Sequence, residues 1–156
     1  MKPDLSPCSN AALRQAMRRL GQLYDDALAP SGLRATQHGL LATIEALGTP
    51  TMGAVAERLV MDLSGLGHTL KPLARDGFIL LVPDAQDRRA RRVTLTELGR
   101  TKLAETTRLW RGAQDRFEAT FGTERAAELR SVLRLLASQD FHDAFVAGRP
   151  LAENAD

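Results

Sequence analysis

Asp62-Leu63-Ser64-Gly65-Leu66-Gly67-His68-Thr69-Leu70-Lys71-Pro72-Leu73-Ala74-Arg75-Asp76-Gly77-Phe78-Ile79-Leu80-Leu81-Val82-Pro83-Asp84-Ala85-Gln86-Asp87-Arg88-Arg89-Ala90-Arg91-Arg92-Val93-Thr94-Leu95 is the stretch that decides this chain. Leu66, Leu70 and Leu73 recur at helical spacing behind Asp62 or Ser64, either of which can open a helix. Phe78–Val82 is a short β-type run, Pro83-Asp84 opens a turn, and Arg92–Leu95 returns as a second strand. Arg88, Arg89, Arg91 and Arg92 crowd the loop that the two apolar runs pin. A merely solvated charge run needs no such pinning. A wing whose guanidinium groups must arrive together at phosphates or a narrow minor groove does need it. The plainer alternative is a solvated turn, with Arg92 folded back onto a carboxylate.

Outward from this unit, helical stripes lie on both sides. Asn10 is placed to cap a first helix carrying Leu13, Met17, Leu20, Tyr24 and Leu28, broken at Pro30-Ser31-Gly32. Thr36 is placed to cap a second, with Leu40, Leu41, Ile44 and Leu47 apolar and Gly48 as its stop. Thr51 opens a short third helix with Val55, Ala56 and Leu59. After the hairpin, Thr96 caps a long helix with the stripe Leu103, Thr107, Trp110, Gln114, Phe117 and Phe121. Gly122-Thr123 leads into a last helix with Ala126, Leu129, Leu133, Leu136 and Phe141, ending before Gly148-Arg149-Pro150.

The order predicts a mainly α protein with a small β-hairpin wing, that is, a winged helix-turn-helix with interleaved N- and C-terminal dimerisation helices. Residues 1–9 form a flexible arm, 10–35 and 97–147 the dimerisation helices, 36–96 the DNA-binding region and 148–156 a mobile tail. The outer stripes are too long for the winged unit to cover, so a second copy is their expected partner.

Composition sets the outer limits. At 156 residues the chain fits one domain or one compact subunit, and aromatics at 4% leave the core to Leu, Ala and Val. Net charge is only +2, so the clustering of arginines matters more than their number. A single cysteine forms no internal disulfide, and no apolar run approaches the roughly 20 residues of a membrane span. A cytoplasmic protein without a membrane partner is expected. Gly65-Leu66-Gly67 follows no strand and lacks a third glycine, so it is no nucleotide loop. No histidine–cysteine spacing suits a metal, no catalytic elbow is present, and no cofactor or enzymatic activity is expected.

The segments Leu33–His38, Met52–Leu59, Leu73–Ile79 and above all Asp84–Gly99 resemble the MarR family of bacterial transcription regulators. The likeness follows element order over residues 10–146 and is sharp over 52–99. It implies a homodimer on duplex DNA with a pseudo-palindromic operator, usually a repressor released by a small aromatic or other effector, or by an oxidant. By resemblance Asp87 holds a neighbouring wing arginine in shape, and Arg88, Arg89 or Arg91 enters the minor groove. Ser64 and Lys71 are candidate phosphate contacts, and His68 or Thr69 candidate base contacts, on the reading helix. The chain departs from the family at Leu63, where arginine is common, at His68, and at Leu80-Leu81, where polar residues are usual.

Arg14, Arg18, Tyr24, His38 and Trp110 are candidates to face an effector cleft; packing or surface roles are the alternative. Cys8 is a candidate redox site, because some relatives sense oxidants through an N-terminal cysteine; otherwise it is an incidental thiol. A winged-helix protein-interaction module without specific DNA binding is the competing function.

Overall fold

The computed structural model describes residues 8–87 and 89–151. Most of the arm and tail foreseen at the two ends lies outside the described residues. Among the described residues, seven α-helices and one hairpin follow in the order α1 (Ser9–Leu28), a 3₁₀ turn (Ala29–Ser31), α2 (Ala35–Leu47), α3 (Met52–Arg58), α4 (Leu63–Arg75), β1 (Ile79–Pro83), β2 (Arg91–Leu95), α5 (Glu97–Phe121), α6 (Thr123–Leu136) and α7 (Gln139–Val146). The mainly helical fold with a two-stranded wing is the expected one.

Local chemistry explains most of the boundaries. Thr51 Oγ1 accepts from Ala54 N–H at 3.2 Å, and an Asp62 carboxylate oxygen accepts from Gly65 N–H at 2.7 Å, so each opens its helix as the sequence predicts. Thr96 Oγ1 likewise accepts from Gly99 N–H at 3.0 Å and opens α5. Two expected caps are displaced. The first helix starts at Ser9 rather than after Asn10, with Cys8 at the cap position and no side-chain cap bond. The second starts at Ala35, so Thr36 lies inside it. Here Gln37 Oε1 reaches back to Arg34 N–H at 2.9 Å, and a carboxylate oxygen of Asp25 accepts from Ala35 N–H at 2.8 Å. The last helix is also not continuous. Ser138 accepts from Phe141 N–H at 3.2 Å and donates to Leu135 O at 2.7 Å, which ends α6 and starts α7.

Three helices end in the same way. The N–H of Gly77 bonds Ala74 O, and that of Phe78 bonds Leu73 O; Gly148 and Arg149 repeat the pattern on Phe145 and Ala144, with both glycines at positive φ. At the end of α3 the same paired bonds run from Val60 to Glu57 and from Met61 to Ala56. Val60 sits there at φ 53°, a left-handed conformation that crowds a β-branched side chain. Val60 is exposed, so nothing packed is lost by replacing it. Val60→Gly should raise stability by about 1 kcal/mol, read as a higher urea midpoint with an unchanged slope. A lower midpoint would show that the backbone there is not strained.

The chain divides into two compact units, one ending at Ala113 and the other beginning at Gln114. In the first, Leu33, Leu40, Leu41, Ile44, Val55, Leu66, Leu70, Leu73, Ile79, Val93 and Leu95 form one aliphatic core, with Leu59, Leu81 and Leu103 packed against it. This core fixes the reading helix and the wing on one support. In α5 the buried positions are Gly99, Thr106 and Ala113, one step round from the expected Thr107 and Gln114. In the second unit Ala126 and Ala144 are buried, Phe117 stacks on Phe121 at 5.4 Å, and Arg130 pairs with Glu118 at 2.8 Å. Among the described residues no helix is long and apolar enough to cross a membrane.

Candidate nucleic-acid interface

The outward face of α4 carries Ser64, His68 and Lys71, all exposed. Thr69 does not share it. A step of about 100° per residue takes position 69 toward the packed side; the residue is half-buried, and its hydroxyl donates to Gly65 O at 2.8 Å. The two glycines of the helix differ. A Cβ on Gly65 would stand 3.2 Å from an oxygen of the capping Asp62 carboxylate, whereas on Gly67 it would meet only the tip of Met52, at 3.9 Å. Pro72 removes the N–H that would bond the carbonyl of His68, yet α4 continues to Arg75 because Leu66, Leu70 and Leu73 are fully buried.

The wing is an antiparallel pair in the register Ile79↔Leu95, Leu81↔Val93 and Pro83↔Arg91. Its loop is organised by Asp84, which the sequence places at the turn opening without naming its partners. Asp84 is buried, and one carboxylate oxygen accepts from Gln86 N–H at 2.7 Å and from Asp87 N–H at 3.0 Å. Its other oxygen pairs with Arg92 Nε. The two backbone bonds and the guanidinium hold this carboxyl below the usual aspartate range, so it is anionic at neutral pH. Arg92 Nη1 also donates to Thr49 O at 2.7 Å, and Val93 N–H donates to Pro50 O at 2.9 Å, which ties the wing to the α2–α3 connection. The signal in the sequence was an aspartate at a turn opening, a residue type that binds backbone N–H groups two and three positions on.

Asp87, expected to shape a neighbouring arginine, accepts from Arg89 N–H at 2.9 Å and so sets the backbone at the tip. Among the described residues of the wing, the carboxylate paired with an arginine side chain is that of Asp84, and that arginine is Arg92, which fits the reading that it folds back. The side chains of Arg89 and Arg91 are exposed and make no ion pair or hydrogen bond among the described residues. Arg88 lies outside the described residues. The wing thus assigns one arginine to structure and leaves at least two cations to solvent or to a polyanion.

The effector candidates separate. Arg14 and Arg18 are exposed on α1, and Tyr24 is half-buried. His38 is buried, with Nδ1 2.9 Å from Thr106 Oγ1, and stacks on Trp110 at 5.9 Å. Thr106 was not foreseen, because its role depends on the rotation of α5. Burial lowers the pKa of His38. Below its unfolded value of about 6.5 the unfolded chain therefore binds a proton that the folded chain refuses, and stability falls until the pH reaches the lower folded value. His38→Gln should flatten the drop in Tm between about pH 7 and about pH 5. An equally steep drop in the variant would place the titrating group elsewhere. Cys8 is exposed.

No family model matches the chain. The M. tuberculosis transcriptional regulator MosR, solved in complex with DNA, is 35% identical, with a TM-score of 0.77 over 92% of this chain and 99% of that one. The transcriptional repressor CouR, solved on a 23-mer DNA duplex, has a TM-score of 0.78 over 88% of this chain and 100% of its own, at 22% identity that bears on the fold alone. The transcriptional activatory protein BadR of Rhodopseudomonas palustris is 34% identical over 105 residues, which span 59% of this chain and 60% of BadR.

Proposed function

Because the chain belongs to the MarR family of transcription regulators, we propose that it acts as a homodimer that grips a pseudo-palindromic DNA operator, α4 in the major groove and the wing in the flanking minor groove. One observation carries this reading: a wing clasped through Asp84 and Arg92 that leaves Arg89 and Arg91 exposed and, among the described residues, unpaired. Cations left free on a braced hairpin suit a polyanion better than a carboxylate of the same chain. Ser64, His68 and Lys71 supply polar reach from α4, and Asp87 keeps the tip in shape.

Exposed apolar side chains support the dimer. On α1 Met17 is 74% exposed, on the same stripe as the fully buried Leu28. In the second unit, Val132, Leu135, Phe145 and Val146 are also exposed. Residues 10–35 and 97–147 are thus our dimerisation helices, and 36–96 the DNA-binding region, in a cytoplasmic protein without catalytic activity. A small effector acts by changing the spacing of the two reading helices, since both half-sites must be met together. Occupancy represses when the operator overlaps the promoter.

Selection from a randomised duplex library tests the proposal. It should return an inverted repeat with half-sites about 10 base pairs apart, bound by two chains per duplex in sedimentation. Failure to enrich any sequence, from a folded sample, would favour the interaction-module alternative.

A further inference from the structure

Beside the outward face of α4, one flank carries at successive turns Leu63, which is exposed, Gly67, which is half-buried, and Lys71, which is exposed. Leu63 is the first residue of the helix and is 57% exposed, beside an Asp62 cap that fixes the first turn. A large apolar side chain in water at that position is not explained by the core, which Leu66, Leu70 and Leu73 fill. Gly67 is equally unexplained by packing. It has no positive φ, a Cβ there would touch only the flexible end of Met52 at 3.9 Å, and glycine weakens a helix relative to alanine. The stripe is therefore an apolar post, a side-chain-free notch one turn on, and a cation one turn further.

The major groove offers one apolar group on a base edge, the C5-methyl of thymine. Resting on the DNA-binding reading above, we infer that Leu63 and Gly67 are specificity-determining residues. Leu63 packs against a thymine methyl in each half-site, and the missing side chain at Gly67 lets that base edge approach the helix backbone. Lys71 then meets the neighbouring phosphate or base edge, with Ser64 and His68 on the outward face beside it. This predicts that the position under Leu63 is read by methyl contact, where a long polar side chain would have read it by hydrogen bonding.

Deoxyuridine differs from thymidine by that methyl alone, which makes the test direct. In the duplex enriched by selection, each thymine of a half-site is replaced in turn by deoxyuridine. One position should lower the affinity of the unaltered protein roughly threefold to tenfold. Leu63→Ala should bind the thymine duplex more weakly and show no further loss at that position. Gly67→Ala should unfold at an equal or higher temperature yet lose tenfold or more in affinity for the selected duplex, roughly, while weak low-salt binding to random duplex persists. Tight binding with no uridine-sensitive position, or an unchanged uridine penalty in Leu63→Ala, overturns the inference and leaves the regulator reading intact. Absence of any enriched duplex overturns both.

Discussion

Replacing Arg89 and Arg91 together with alanine should weaken operator binding by about a hundredfold or more near physiological salt, and flatten its salt dependence by roughly two slope units per chain. Each phosphate contact releases condensed counterions and contributes about 0.9 to that slope. The two side chains are exposed and unpaired among the described residues, so their removal should leave the Tm within about 1 °C. Arg92→Ala provides the contrast. It breaks the contacts with Asp84 and Thr49, so its DNA defect should come with a loosened wing, seen as faster amide exchange at Gln86 and Asp87. Asp84→Asn should behave in the same way, because a neutral amide loses the ionic part of the clasp. The clasp is complete at neutral pH and is lost as the pH falls through the lowered folded value of Asp84. Unchanged affinity and slope in the Arg89, Arg91 double variant would remove the wing from the interface.

Gly99→Ala should destabilise the fold by about 3 kcal/mol or more and lower the Tm by about 10 °C. A Cβ at Gly99 would stand 1.9 Å from Phe78 O and 2.9 Å from Phe78 C, both backbone atoms. Phe78 O is itself held by Thr96 N–H at 3.0 Å, so the neighbour cannot swing aside. Either the first turn of α5 moves, breaking the Thr96 cap, or β1 moves, disturbing the Ile79↔Leu95 pairing that carries the wing. Gly112→Ala is the matched control in the same helix. Nothing lies within 4 Å of its added Cβ, so it should stabilise by a few tenths to about 1 kcal/mol. A Tm shift of less than about 2 °C for Gly99→Ala would contradict the close approach of α5 to Phe78.

Much of the architecture was legible because it rests on short-range signals. The helix order, the caps at Thr51, Asp62 and Thr96, and the hairpin all follow from residues within a few positions of one another. What escaped depends on partners far along the chain or on rotation about a helix axis. Arg34 looks unlike a cap, but Gln37 and Asp25 satisfy the backbone around it. Ser138 lies inside a periodic apolar run, and only its bonds to Leu135 and Phe141 reveal a break. Thr69 is half-buried with its hydroxyl on Gly65 O, whereas spacing alone groups it with the exposed Ser64, His68 and Lys71. A carboxylate partner for Arg92 is foreseeable from the turn, but neither Asp84 as that partner nor Thr49 O, 43 residues away, is visible in local sequence. His38 with Thr106 is similar: their contact spans 68 residues and required the true phase of α5. Gly99 shows the limit most plainly, since an approaching backbone leaves no mark on periodicity.

We expect this chain to recognise DNA through α4 and the wing. Fluorescence anisotropy with the DNA immediately upstream of its own gene, against a scrambled duplex of equal length, in reductant and across a salt series, tests it most directly. The upstream duplex should bind tightly and the scrambled one more weakly, with a steep fall in affinity with salt. Equal weak affinity for both duplexes at every salt concentration, or no binding at all from a sample shown to be a folded dimer, would contradict it.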